Sequence, residues 1–285
     1  MGSGHEPGRN SRDERRKLLM KGNRMIIRRQ QSILAFCGIL AIIVFMQAGL
    51  ASLEAYGATP KETSNPPAGL YQAGYSVQAV QNGGTISGKI LYQGKPIRPK
   101  KIAVTQDNSV CGNAKEIYPA EIEDGGVVDA VVWIDGIDHG KDFAYPPAVI
   151  DQKGCMFMPP ILIMKPGDLK VQNSDSASHN VHIYAENNRS FNQVMPAGSP
   201  ALEIPLGRPD RAVVRCDVHP WMKGYVIVAA NAYYVLSGKG GAFTLTDVPP
   251  GTYHLKVWQE DLGTKDVSVT VQSGQTATVN VTLGK

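Results

Sequence analysis

Cysteine is scarce in this chain, with four residues in 285, and no Cys-x-x-Cys-His run occurs. Covalent attachment of a c-type haem is therefore excluded. A basic folded surface is missing as well. The formal net charge is +4, but residues 1–30 hold nine Lys or Arg against three Asp or Glu. From residue 59 onward, 20 basic residues face 21 acidic ones. Nucleic-acid binding needs a basic face on the folded part, and none is evident, so no nucleic-acid partner is expected. Neither a short tandem repeat nor a long low-complexity tract is present. Charge of either sign is absent between Arg29 and Glu54.

That last gap is informative. An uncharged, apolar run of roughly 20 residues is long enough to cross a bilayer. The positive charge ahead of it keeps the N-terminal side in the cytosol. Residues 1–30 thus read as a basic cytosolic tail and 31–53 as a signal anchor or signal peptide. Gly49-Leu-Ala51 offers a small-residue cleavage site, yet the apolar run is long for a cleaved signal core; both readings stand. The chain beyond residue 53 is expected outside the cytoplasmic membrane, in the periplasm or an equivalent extracytoplasmic space, anchored by the N-terminal helix or secreted.

Glycine (30) and proline (19) are plentiful, and hydrophobic residues make up 42% of the chain. This composition predicts strands and turns around a real core. Residues 54–81, with Thr59-Pro-Lys-Glu-Thr-Ser-Asn-Pro-Pro-Ala-Gly69, read as a linker. Short strands then succeed one another: 85–92, 127–134, 161–164, 169–172 after the Lys165-Pro-Gly-Asp168 turn, 181–184, 212–215 and 225–229. Such spacing predicts an all-β sandwich or barrel. Residues 241–258 read as strand, tight turn, strand. Residues 267–271 and 277–283 flank a Ser-Gly turn and are expected to form a hairpin.

The chemistry-bearing run is Cys216-Asp-Val-His219-Pro-Trp-Met222, with Ser178-His-Asn-Val-His-Ile183 upstream. Two imidazoles and one thiolate, with a thioether on the axis, form the donor set of a type 1 copper centre. A packed thiol beside an unrelated histidine is the bland alternative. Structural zinc takes four Cys or His ligands and no thioether. A nucleophilic Cys216/His219 pair would need an orienting group and an oxyanion site, and neither is marked. His182 lies three residues from His179 and, on a strand, turns to the opposite face. Met195, His139 and His254 read as packing or surface residues. Cys111, Cys155 and Cys216 would sit in an oxidising space. The simplest assignment there is a Cys111–Cys155 disulfide, with two free buried thiols as the alternative.

The Cys216-x-x-His219-x-x-Met222 spacing, the His179-Asn180 pair and the subsequent strand Lys223-Gly-Tyr-Val-Ile-Val228 resemble the cupredoxins, in particular the amicyanin and plastocyanin-like proteins. The resemblance covers roughly residues 150–230. It implies one copper ion held by His179, Cys216, His219 and Met222, and single-electron transfer rather than enzyme catalysis. Asn180 and Asp217 would lie just outside the ligands and tie the two ligand loops together. His219, Pro220 and Trp221 would form the exposed surface for a redox protein partner, a cytochrome or an oxidoreductase.

Gly84-Thr-Ile-Ser-Gly-Lys-Ile-Leu-Tyr-Gln-Gly-Lys-Pro96 and Gly241-Ala-Phe-Thr-Leu-Thr-Asp-Val-Pro-Pro-Gly-Thr-Tyr-His-Leu-Lys-Val-Trp258 resemble the carboxypeptidase regulatory-like, or transthyretin-like, β-sandwich. Together the two resemblances imply a Greek-key cupredoxin-like sandwich at 107–230. A second, split sandwich would be formed by 82–106 and 231–285. Two other functions fit the same residues: a non-redox binding or scaffold module, and a periplasmic copper carrier.

Overall fold

Alternation of buried and exposed side chains runs through strands such as Asp210–Arg215, whose pattern is buried at every second residue. The computed structural model describes Met1 and residues 74–284, and residues 74–284 lie in one compact unit. The readings for residues 1–30 and 31–53, and most of the linker reading, fall outside the described residues.

In chain order the strands begin with β1 Ser76–Val77, β2 Gly84–Tyr92, β3 Lys100–Ala103, β4 Ala114–Ile117, β5 Ile122–Glu123, β6 Gly126–Val127, β7 Val131–Asp135 and β8 His139–Gly140. Next come β9 Val149–Gln152, β10 Phe157–Met158, β11 Ile161–Met164, β12 Gly167–Asn173, β13 His179–Tyr184, β14 Phe191–Met195, β15 Leu202–Leu206, β16 Asp210–Arg215 and β17 Lys223–Val228. The last are β18 Tyr234–Leu236, β19 Ala242–Val248, β20 Gly251–Gln259, β21 Gly263–Val271, β22 Thr276–Thr278 and β23 Val281–Leu283. One short helix, α1 Asn108–Cys111, lies between β3 and β4. The described fold is all-β, as the turn-rich composition predicts.

Two sandwiches result. The first pairs a four-stranded sheet, β10-β9-β12-β15, with a five-stranded sheet, β11-β17-β16-β13-β14. Between them lies a core that includes Ile150, Phe157, Leu169, Val171, Val181, Ile183, Val214 and Val226. The second pairs β18-β7-β20-β21 with β19-β2-β6-β5, to which β22 and β23 add on β2. Ile86, Ile90, Val132, Ile134, Tyr233, Leu255 and Val257 belong to its core. Each fully buried side chain of this size contributes roughly 1.5–3 kcal/mol.

The sandwiches also pack on each other. Strand β17 is buried on both faces because Val226 and Val228 join the first core while Tyr225 and Ile227 point the other way. There they meet Val131 and Trp258 of the second sandwich. The Tyr225 and Trp258 rings meet edge to face at 4.9 Å. The Arg211 guanidinium lies 4.6 Å from the Trp258 ring centre.

Several expectations need correction. Segment 127–134 is not one strand; Asp129 takes a left-handed φ of 57° and separates β6 from β7, a conformation Asp tolerates better than most residues. Strands β6 and β7 fall within 107–230, the stretch expected to form the first sandwich, yet β7 pairs with β20 and β18, inside the second. Conversely β3, within 82–106, pairs with β4, and Ile102, Val104, Val110 and Cys111 pack on the first core. The expected hairpin of 267–271 with 277–283 does not form. Strand β21 pairs with β20, whereas β22 and β23 run parallel to β2. Gly88 permits that approach: a Cβ there would lie 1.7 Å from the carbonyl oxygen of Val279, between β22 and β23. The end of the linker is folded too, since β1 pairs with β8 and Tyr75 packs on Phe143 and Tyr233.

Candidate metal centre

The loop after β16 is short because it closes on itself. Cys216 N–H donates to the carbonyl of Met222 at 3.3 Å, and Met222 N–H donates to that of His219 at 2.9 Å. These bonds turn Cys216 and His219 to one side. Strand β13 begins beside them, and its antiparallel register with β16 pairs His182 with Arg215. His179 therefore enters at the level of the loop.

The nitrogen and sulfur donors of His179, Cys216 and His219 lie within 4.8 Å of one another, and all three residues are buried. Nδ1 of His179 faces Nδ1 of His219 at 2.9 Å, and Sγ of Cys216 is 3.8 Å from His219 Nδ1. Cys216 is the free cysteine among the described residues. Two backbone N–H groups, of Asn180 and His219, donate to its sulfur at 3.4 Å each. Met222 is fully buried.

The outer ring nitrogens are engaged as well. Nε2 of His179 lies 2.9 Å from Oδ2 of Asp175, and Nε2 of His219 lies 3.0 Å from Oδ2 of Asp107. Burial pushes the Asp175 carboxyl up. The N–H of Cys155, the His179 ring and the N–H of Gly154 outweigh it and hold the group below the usual carboxylate range. An ionised carboxylate only accepts, so the proton of each ring sits on Nε2. The two Nδ1 atoms are then the inward-facing nitrogens, at a separation that a shared proton or a cation would bridge. Burial, opposed by the Asp175 hydrogen bond, lowers the affinity of His179 for a second proton, and the neighbouring His219 lowers it further. Two facing imidazole nitrogens beside a thiol are a donor set for a soft or borderline cation. The residues present fit a copper ion on that ground.

Asn180 and Asp217 tie the start of β13 to the loop after β16. Asn180 Nδ2 donates to Asp217 Oδ2 at 3.0 Å, and Asp217 N–H donates to Asn180 Oδ1. His182 turns outward and reaches the Asp217 carboxylate at 3.0 Å. Its proton shared with Asp217 comes first among the causes that hold that carboxyl below its usual range. Met195 packs in the first core, and His139 and His254 lie on the surface. The Cys111–Cys155 disulfide is formed, with its Cα atoms 5.3 Å apart.

The expected docking surface is not there. His219 is 0% exposed and Trp221 is 7% exposed; of that trio only Pro220 is on the surface. The excursion from β3 through α1 to β4 covers the imidazole. Asp107 binds its Nε2, Cys111 Sγ lies 3.8 Å from the same atom, and Gln106 donates to the carbonyl of Val218. Asp107 and Asp175, which bind the two outer ring nitrogens, belong to no motif of the sequence, and sequence reasoning misses them. The available signals are the position of Asp175 four residues before His179 and that of Asp107 four residues before a disulfide cysteine.

Solved structures similar to this chain include a purple cupredoxin from Nitrosopumilus maritimus, at 23% identity over 29% of this chain and 99% of that one, with a TM-score of 0.25. Amicyanin from Paracoccus versutus matches at 22% identity over 31% of this chain and 86% of its own, with a TM-score of 0.26. A copper-containing nitrite reductase from Thermus scotoductus matches at 17% identity over 48% of this chain and 28% of its own, with a TM-score of 0.28. No curated protein matches the chain. Residues 221–284, which run from the end of the ligand loop through β17 to β23, match the family of the carboxypeptidase regulatory-like domain.

Proposed function

We propose that this protein is an exported or membrane-tethered single-copper protein that passes electrons one at a time between redox partners. The observation that carries the reading is the convergence of His179, Cys216 and His219 on one buried point. Met222, from the same seven-residue loop, is buried with them. His179, Cys216, His219 and Met222 would hold the ion, which when bound supplies a Cu(II)/Cu(I) couple.

The chain's own residues supply the rest. Asn180 and His219 donate backbone N–H groups to the Cys216 sulfur and fix its position. The Asn180–Asp217 pair ties the strand that carries His179 to the loop that carries Cys216 and His219. The three donor residues are buried away from water, so little needs to rearrange when the charge changes. A four-donor set leaves no position for a substrate, so no catalysis is assigned. The disulfide suits an oxidising compartment, and the uncharged segment of residues 30–53 supplies export or anchoring.

The test is a copper titration of the full-length chain. One copper per chain with an intense visible charge-transfer band is expected, and the band should vanish in Cys216→Ser. A wild-type chain that binds no copper would overturn the reading.

A periplasmic copper carrier is a second reading. The burial of His219 beneath Asp107 and Cys111 favours it, because a covered imidazole suits holding an ion more than passing electrons through that edge. Reversible cycling at an electrode supports electron transfer; release of copper to a competing chelator without cycling supports the carrier.

A further inference from the structure

Asp107 stands at the N-cap of α1, where an aspartate side chain ordinarily accepts a backbone N–H of the first turn. Here the side chain makes no capping bond, although the Asp107 carbonyl accepts the N–H of Val110 at 2.9 Å and of Cys111 at 2.8 Å. The carboxylate instead leaves the helix for Nε2 of His219. Its backbone sits at φ 53°, ψ 34°, a left-handed conformation that residues with a Cβ usually avoid. The cysteine at the other end of the disulfide, Cys155, also has a left-handed φ, at 54°. Its N–H donates to Oδ2 of Asp175 at 2.7 Å, the oxygen that binds Nε2 of His179. Its carbonyl accepts Nε1 of Trp221, on the ligand loop, at 3.0 Å. One covalent bond thus joins the helix that carries Asp107 to the turn that fixes Asp175.

We infer that Asp107 and Asp175 are positioning residues, braced by the Cys111–Cys155 disulfide, that hold both imidazoles with Nδ1 bare and turned toward Cys216. The purpose of this arrangement rests on the copper reading; the hydrogen-bond pattern itself does not. A ring N–H given to a carboxylate fixes the tautomer and strengthens the other nitrogen as a donor. An asparagine keeps the acceptor oxygen and loses the charge, whereas an alanine loses both. The three residue types at position 107 therefore separate orientation from charge.

Nitrogen-detected NMR of the metal-free, full-length chain reads the tautomers directly. Wild type should carry the proton on Nε2 of both His179 and His219. Asp107→Asn should keep that form at His219, and Asp107→Ala should mix the two tautomers. Copper(II) affinity should fall about 10–100-fold in Asp107→Ala and less in Asp107→Asn. Because the lost charge weakens Cu(II) more than Cu(I), each tenfold selective loss raises the potential by about 59 mV. Replacing both Cys111 and Cys155 by serine should reproduce the Asp107→Ala tautomer mixture at His219 and loosen His179 as well. A wild-type proton on Nδ1 of His219 would overturn the inference. So would an Asp107→Ala chain that melts earlier yet keeps wild-type tautomers and affinity, since that is a purely structural role. A wild-type chain with the stated tautomers and no copper binding would sink the copper reading and support the positioning.

Discussion

The two sandwiches of this chain bury different chemistry. The second is largely apolar, with Tyr233, Ile86, Ile90, Ile134 and Leu255 at its centre, and Asn231, Ser237 and Gln259 are its buried polar residues. Ser237 Oγ donates to the carbonyl of Val127, and Asn231 Nδ2 donates to that of Ile134. Both side chains complete backbone connections. The first sandwich buries Gln152, Asn173, His179, Asn180, Asp210 and His219 and holds a free thiol and a disulfide. Polar groups in a dry interior are unfavourable unless they are paired. There the polar residues gather mainly at one end, around the Cys216 loop. One core is thus nearly all apolar, while the other gives up apolar packing at one end to hold the buried His179, Cys216 and His219 cluster.

The contrast can be broken by substitution. Cys216→Ser has the largest expected effect: copper binding and visible colour should be lost while near-ultraviolet circular dichroism of the second sandwich stays unchanged. Removing the disulfide with Cys111→Ser and Cys155→Ser should destabilise the first sandwich by about 4 kcal/mol, from the loop closed over a separation of 44 residues. Hydrogen exchange would place that loss at β9, β12 and β13; equal loss at β2 and β20 would show that the sandwiches unfold as one. Leu255→Ala should cost about 2–5 kcal/mol in denaturant unfolding. Its copper affinity should remain at the wild-type value, and a changed affinity would deny the division of labour.

The two regions should also respond to acid with opposite signs. The Asp175 carboxyl is held below its ordinary value of 3.8, so its stabilisation is present above that pH and is lost as pH falls through the folded value. Asp129, beside Ser237 in the second sandwich, is raised above 3.8 by burial and then by Glu121. Its contribution improves as pH falls through its folded value toward 3.8. Unfolding curves of Asp175→Asn and Asp129→Asn between pH 3 and 6 should therefore diverge from wild type in opposite directions. The smallest change is expected at the junction. Arg211→Ala removes the cation over Trp258 and should cost about 0.5–1 kcal/mol.

Much of the strand content is legible because period-two alternation and glycine or proline turns are local signals. Residues 85–92, 161–164 and 225–229 need no partner to be read as strands. The Cys216, His219 and Met222 spacing is legible for the same reason, as three side chains of donor type on one short loop. His179 comes from a second local pattern, and the disulfide from counting cysteines in an oxidising space. Pairing is less accessible. Strands β22 and β23 look like one arm of a hairpin, because a Ser-Gly turn precedes them, yet they add to β2, each residue pairing with one 191 positions away. Their choice depends on Gly88 leaving room for Val279, a contact across the whole length of the fold. The cover over His219 is hidden likewise, since nothing in Gln106-Asp-Asn-Ser109 announces where the excursion will lie.

From the amino acids alone came the all-β class, the candidate donor residues, the cysteine pairing and an expected extracytoplasmic setting, each resting on composition or on residues close together in the chain. Tertiary packing settled that β6 and β7 serve the second sandwich, that His219 is sealed, and that Asp107 and Asp175 hold the imidazoles. Those outcomes depend on which surfaces meet when two sandwiches and a disulfide-held excursion pack. Contacts such as Asp107 with His219, 112 positions apart, are set by that packing, and no local pattern carries them.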